Sequence, residues 1–234
     1  MILTAHQPVY LPWLGLFHKI ALAESFVWFD DVQYQTKDWN NRNRIMTNNG
    51  PIWLTVPVLS KGHYKIKVGK IKINNTFPWG KKHVKSIQLA YSKSKYFNYY
   101  FKFFEDLYNK QWEFLSDLNF YILNFILEDL NIDISVVKLS ELKVSGQKSD
   151  LVLNMCKKLK AKIYIFGGEG KNYANEQKFI ESGVKPYFQK YKHPVYKQLH
   201  GKFEPNLSII DLLFNAGPKS YDIMMSGNIN NINT

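Results

Sequence analysis

A single cysteine, Cys156, in 234 residues excludes an intramolecular disulfide. It falls on the apolar face of a predicted helix, where an inert core thiol is expected. No run reaches the ~18 uninterrupted apolar residues of a membrane span, and the opening MILTAHQP lacks the basic stretch and apolar core of an export signal. The expectation is a soluble, cytoplasmic protein. The six histidines show no zinc-type spacing, and neither a Walker pattern nor G-x-S-x-G occurs, so no metal or nucleophilic-serine site is expected. Acidic residues are few beside basic ones, 19 against 31, for a formal charge of +12. That excess favours anionic partners by raising their local concentration. It is not gathered into one tract, however: the densest group, Lys61, Lys65, Lys67, Lys70 and Lys72, mostly alternates along strand-like sequence and equally reads as a solvated face. Without a reading helix or arm, duplex DNA is not an expected partner. A nucleotide, a nucleotide-linked sugar, an acidic carrier protein and tRNA all remain open.

What is present is apolar and aromatic residues, 45% and 16% of the chain, enough to bury a sizeable core. Ile2 to Ala5 reads as a buried strand, Pro12 to about Glu24 as a helix with Pro at its first position, and Phe26 to Phe29 as a second strand. This strand, helix, strand order is the unit of a parallel sheet. The polar segment from Gln33 to Thr47 has no period and reads as a long loop. Ile52 to Val58 and Ile66 to Ile73 read as strands joined by a turn at Lys61-Gly62. Helical spacing then predicts Trp79 to Tyr91, Tyr96 to Tyr108 and Trp112 to Leu127, with their aromatics in the core. Ile134 to Leu139 and Ile163 to Phe166 read as strands. Asp150 to Leu159, Asn175 to Glu181 and Leu207 to Asn215 read as helices, the last stopped by Gly217-Pro218. The pattern predicts an α/β fold: a Rossmann-like, mostly parallel sheet flanked by helices, with a helical insertion over about 79–128. One domain is expected over 1–226, with a frayed tail at 227–234.

Ligands of an open parallel sheet bind beyond the carboxyl ends of its strands. Three polar clusters fall there: His6 and Gln7; Asp30, Asp31 and Gln33; and Gly167, Gly168 and Glu169. His6 is a candidate proton carrier or else a residue that satisfies a buried carbonyl. Asp30-Asp31 is a candidate carboxylate pair or else a turn. Gly167 and Gly168 form a tight turn or let backbone N–H groups approach a phosphate. Asn41, Arg42 and Arg44 suit an anionic, hydroxylated ligand. Lys82 and His83 open a helix, with solvated charge as the alternative, and Tyr10, Trp13 and Tyr173 are candidate aromatic contacts.

Together, H-Q-P-V-Y-L-P-W-L-G-L-F-H-K-I from His6 to Ile20, D-D-V-Q-Y-Q-T-K-D-W-N-N-R-N-R-I from Asp30 to Ile45 and P-N-L-S-I-I-D-L-L-F-N-A-G from Pro205 to Gly217 resemble the WbqC-like family. W-x-K-K-H at Trp79 to His83 and Y-x-x-G-G at Tyr164 to Gly168 fit it too. The resemblance implies sugar chemistry in O-antigen, capsule or other surface-glycan assembly, on a nucleotide-linked sugar. The working expectation is a transferase placing an acyl or aminoacyl unit on the amino group of such a sugar. The donor would be a CoA thioester, a carrier-bound acyl group or an aminoacyl-tRNA. His6, Asp30, Asp31 and His83 are the candidate acids and bases, with basic loops holding the diphosphate. The rivals are a glycosyltransferase whose Asp30 and Asp31 hold a metal, an ATP-using ligase or nucleotidyltransferase, and a noncatalytic binding module. Against ATP use, Pro12, Trp13, Leu14 and Gly15 stand where an H-x-G-H motif would be needed.

Overall fold

A computed structural model describes residues 1–62 and 66–232. The chain runs through β1 (Ile2–His6), α1 (Leu14–Ala21), β2 (Ser25–Trp28), the hairpin β3 (Arg42–Thr47) and β4 (Gly50–Thr55), and helices α2 (Trp79–Tyr91), α3 (Phe97–Asn109) and α4 (Leu115–Asp129). It continues with β5 (Ser135–Lys138), α5 (Leu139–Leu142), α6 (Lys148–Lys158), β6 (Ile163–Phe166), α7 (Glu176–Glu181), β7 (Lys185–Phe188), α8 (Ile209–Ala216) and α9 (Ser220–Met225). Five strands pair in the order β5-β2-β1-β6-β7, every neighbour parallel. This is the expected α/β fold.

Alternation along the strands divides the interior in two. Leu3, Ala5, Val27, Tyr164 and Phe166 pack with Leu151, Val152, Met155, Cys156 and Phe179 of α6 and α7. Ile2, Phe26, Trp28, Ile163 and Ile165 face the larger cluster built from α1 to α4 and α8. Aromatic rings fill that second layer: Phe103 stacks on Phe125, with centroids 3.5 Å apart, and Tyr91 stacks on Phe214 at 4.6 Å. Cys156 lies in the smaller cluster, and burial pushes its thiol up to about 12.

Several expectations are corrected. Gln33 to Thr47 is not all loop: Arg42 to Thr47 forms β3 and pairs antiparallel with β4. The strand expected at Ile66 to Ile73 is instead a 3-10 turn at Val68–Lys70 with isolated bridges, because β4 has already taken β3 as partner. The alternating lysines are therefore no strand face; Lys67 pairs with Asp31 and Lys72 with Glu113, while Lys65 lies outside the described residues. Strand β7 went unpredicted because Pro186 suppresses the signal. Its place at the sheet edge explains why proline is tolerated. Helix α9, after Gly217-Pro218, was also missed. Near the C-terminus, Asn228 bonds the backbone of Lys192, and the Ile229 carbonyl lies 3.0 Å from His18 Nε2. Residues 233–234 lie outside the described residues. Among those described, no helix is long and apolar enough to cross a membrane.

Candidate functional site

The chain steps from β1 to β2 to β5 in one direction across the sheet, then places β6 and β7 on the other side of β1. The order reverses between β1 and β6, and the crevice beyond such a reversal is the preferred ligand position in sheets of this kind. Pairing between β1 and β6 stops at Thr4 and Ile165. Pairing of β1 with β2 continues to His6 and Trp28, and that of β6 with β7 to Phe166 and Phe188. The two central strands thus part before either leaves its outer neighbour. His6, Gln7, Gly167 and Gly168 follow directly.

His6 is half-buried, and its Nδ1–H donates to the Gln7 carbonyl at 2.9 Å. Because a carbonyl only accepts, this bond leaves the lone pair on Nε2. Burial, reinforced by the charge of Lys19 and opposed by the Gln7 hydrogen bond, lowers the His6 pKa to about 3. The imidazole is therefore neutral at physiological pH and can accept a proton only from a group that becomes acidic during reaction. Its ring stands edge-on to Trp13, with centroids 5.4 Å apart. Trp13, Trp39 and Asn206 line a slot of about 180 Å³. Gly15 makes room for this arrangement, since a Cβ there would sit 3.0 Å from Tyr191 and 3.3 Å from Trp13. Trp39 continues to Trp53, centroids 5.4 Å apart, and the Arg42 guanidinium covers Trp53 at 4.8 Å. The slot thus offers an apolar wall, a hydrogen-bonding amide and a neighbouring cation.

Behind Gln7 runs a buried amide chain. Asn40 Nδ2 donates to the Pro8 carbonyl at 2.6 Å and reaches Gln7 Oε1 at 3.4 Å, and Asn119 Nδ2 donates to the Asn40 carbonyl at 2.8 Å. These bonds lock the His6-Gln7-Pro8 turn against α4.

Asp30 and Asp31 sit at the end of β2 around a different concavity, of about 220 Å³. Asp30 accepts from the Ser140 N–H at 2.9 Å and the Ser140 hydroxyl at 2.7 Å, and Asp31 pairs with Lys67 at 2.5 Å. Both carboxylates hold neighbouring segments together, and His6 does not line this cavity.

Tyr10 and His83 lie inside the molecule. The Tyr10 hydroxyl bonds His83 Nδ1 at 2.8 Å and also the Tyr108 hydroxyl. Tyr10 has no exposed surface to offer a ligand. Burial lowers His83 to about 4 and raises Tyr10 well above the usual phenol range. The other predicted residues are dispersed. Asn41 donates to the Val56 carbonyl, Arg42 bonds the Lys37 carbonyl, and Arg44 is paired with Glu204 at 3.2 Å. Gln33 and Lys82 are exposed, and Tyr173 lies edge-on to Phe166. The structure sets His6 against Trp13 and places Gln7, Gly167 and Gly168 directly after the ends of the two central strands, β1 and β6.

Lys19, Trp39, Asn40, Gln189 and Asn206 were not singled out from sequence. Gln189, just past β7, donates to the Gly15 carbonyl and bonds His18 Nδ1, tying that strand end to α1. A signal existed for Lys19. Helix α1 has no polar face on which to solvate it, and Leu14 through Ile20 are all buried. Asn206 lies in the P-N-L-S-I-I-D run, but no local signal ties it to Trp13, which is far away in the chain.

A family model described as the WbqC-like protein family matches residues 7–223. The chain is 35% identical over 220 residues to an uncharacterized protein of Mycobacterium tuberculosis (strain ATCC 25618 / H37Rv), covering 93% of this chain and 95% of that protein. No solved structure matches.

Proposed function

The chain belongs to the WbqC-like protein family, and we propose that it is a cytoplasmic transferase in bacterial surface-glycan biosynthesis, placing an acyl or aminoacyl unit on the amino group of a nucleotide-linked amino sugar. One observation carries this reading. A neutral histidine with its Nε2 lone pair free of the Gln7 bond stands at the strand reversal, against an aromatic slot.

In this reading the sugar's apolar face packs on Trp13, while Gln7 and Asn206 meet its hydroxyl groups. The uncharged amine attacks the acyl carbon of a thioester or ester donor. As the C–N bond forms, His6 Nε2 takes the proton that the nitrogen must lose. The bond to the donor's sulfur or oxygen breaks, and the leaving thiolate or alkoxide receives a proton from the imidazolium. With its pKa near 3 the free imidazole is a weak base, so it takes the proton only as the nitrogen turns acidic on C–N bond formation, and it returns it readily to the leaving group. The donor is a CoA thioester, a carrier-bound acyl group or an aminoacyl-tRNA.

The test is incubation with UDP- and dTDP-linked amino sugars and pooled acyl donors, followed by mass measurement. The expected product is the sugar nucleotide heavier by one acyl or aminoacyl unit. Formation of that product by His6→Ala at the wild-type rate would overturn the assigned role of His6. Turnover abolished by a chelator would favour the glycosyltransferase alternative, since amide formation as written uses no metal.

A further inference from the structure

Strand carbonyls alternate in direction. The His6 carbonyl accepts from the Phe29 N–H on the β2 side at 2.9 Å, so the Ala5 carbonyl faces β6. The ladder with β6 has already ended there, and Lys19 Nζ takes that acceptor at 2.9 Å. The amine thus lies in the gap where β1 and β6 separate. Lys19 is only 4% exposed and has no carboxylate within ion-pair distance among the described residues. One carbonyl serves a group with three N–H donors. A buried cation in this state costs stability unless something negative completes it.

The glycines after β6 point the same way. Gly170 is required by packing, because a Cβ there would lie 2.5 Å from Phe166. Gly167 and Gly168 are not. Neither has a positive φ, a Cβ on Gly167 would meet nothing within 4 Å, and one on Gly168 would meet only the Gln189 carbonyl at 3.9 Å. Two residues without side chains border open space next to the gap that holds Lys19.

We propose that Lys19, with the backbone of Gly167 and Gly168, forms a phosphate subsite at the separation of β1 and β6, where it takes the diphosphate of the ligand. This rests on reading the crevice as the substrate site, not on the acyl-transfer step. It moves the diphosphate away from Arg42, Arg44 and Lys82, where the sequence suggested it. Burial lowers Lys19 to about 7, so an arriving anion would draw it into its charged form. Burial lowers His6 to about 3, it also lowers His18, and it raises Tyr164 well above the usual phenol range.

The experiment is calorimetric titration of the whole chain with inorganic pyrophosphate, UDP and uridine, on wild type, Lys19→Met, Lys19→Arg, Gly167→Ala and Gly168→Ala. The glycine variants have room for the added methyl and should fold as wild type. Expected are binding of pyrophosphate and UDP but much weaker binding of uridine, a loss of at least tenfold in Lys19→Met and in one or both glycine variants, and partial retention in Lys19→Arg. Wild-type affinity in Lys19→Met and both glycine variants would overturn the subsite, as would uridine binding as tightly as UDP or no measurable binding of pyrophosphate and UDP. Wild-type binding of the anions, lost in Lys19→Met and the glycine variants, without any acylated product would keep the subsite and remove the proposed reaction. An acylated product with Lys19→Met unimpaired in UDP binding would do the reverse.

Discussion

His83 Nδ1 lies 2.8 Å from the Tyr10 hydroxyl, and the pair is sealed among Trp79 and Tyr108. A histidine in a W-x-K-K-H run, with lysines before it, reads from sequence as a site residue. The fold turns it inward to satisfy a phenol. His83→Ala should therefore destabilise the protein by about 1–3 kcal/mol, the cost of an unsatisfied buried hydroxyl, measured by urea unfolding. The KM for the sugar nucleotide should not change in the fraction that remains folded.

For His6 the expected pattern is opposite. His6→Ala should lower kcat by roughly 10²–10⁴-fold with a small change in melting temperature. His6 stays neutral above about pH 3, so free-enzyme kcat/KM should show no ionisation from this residue between pH 5 and 8. An inflection near pH 6.5 that disappears in His6→Ala would contradict the assigned environment.

Lys19 has a folded-state pKa of about 7, depressed from 10.5. Between those values the unfolded chain binds more protons than the folded one, so this residue's contribution to stability improves as pH rises through that window. Below pH 7 the full burial cost applies. Lys19→Met should be more stable than wild type at pH 7, by on the order of 2–4 kcal/mol. The gain should shrink toward pH 10.5, as followed by denaturant midpoints across pH.

Asp30 holds the N–H and hydroxyl of Ser140 at the start of α5. Asp30→Ala should cost about 0.5–2 kcal/mol, as for a lost helix cap, and Ser140→Ala less. If Asp30 were instead a catalytic carboxylate, Asp30→Ala would abolish turnover in protein still folded at assay temperature. Single-turnover rates and thermal melts on the same sample separate the two.

If the slot holds the proposed nucleotide sugar, Trp13→Ala should raise its KM more than it lowers kcat, because a stacking wall binds substrate and transition state alike. Trp39→Ala should do the same, as both line the slot.

Strands β1, β2 and β6 and helices α2, α3, α4, α6 and α8 were legible from sequence, because each buries either an apolar stripe at helical spacing or an apolar run too short for a helix; β5 was legible from its apolar residues too, although it is only partly buried. Strand β3 was hidden by its composition. Arg42, Asn43 and Arg44 read as loop, yet Asn43 is buried and donates to the Leu11 carbonyl at 2.5 Å. Asp211 shows the same effect in a recognisable motif. Its carboxylate receives Tyr91, Tyr196 and Gln198, each at 2.9 Å, so a polar letter in P-N-L-S-I-I-D serves the interior.

By itself, the sequence determined the α/β class, the family and the position of the His6-Gln7-Pro8 turn at a strand's carboxyl end, since these follow from local periodicity and motif. Tertiary structure decided which polar residues lie near one another and which are turned inward. Side-chain direction and strand order are collective outcomes of packing. They bury Tyr10 and His83, turn Asp30 toward Ser140, and bring Asn206 beside Trp13 across nearly the whole chain. They also open β1 from β6 around Lys19, a residue whose meaning depends on a missing rung in the ladder.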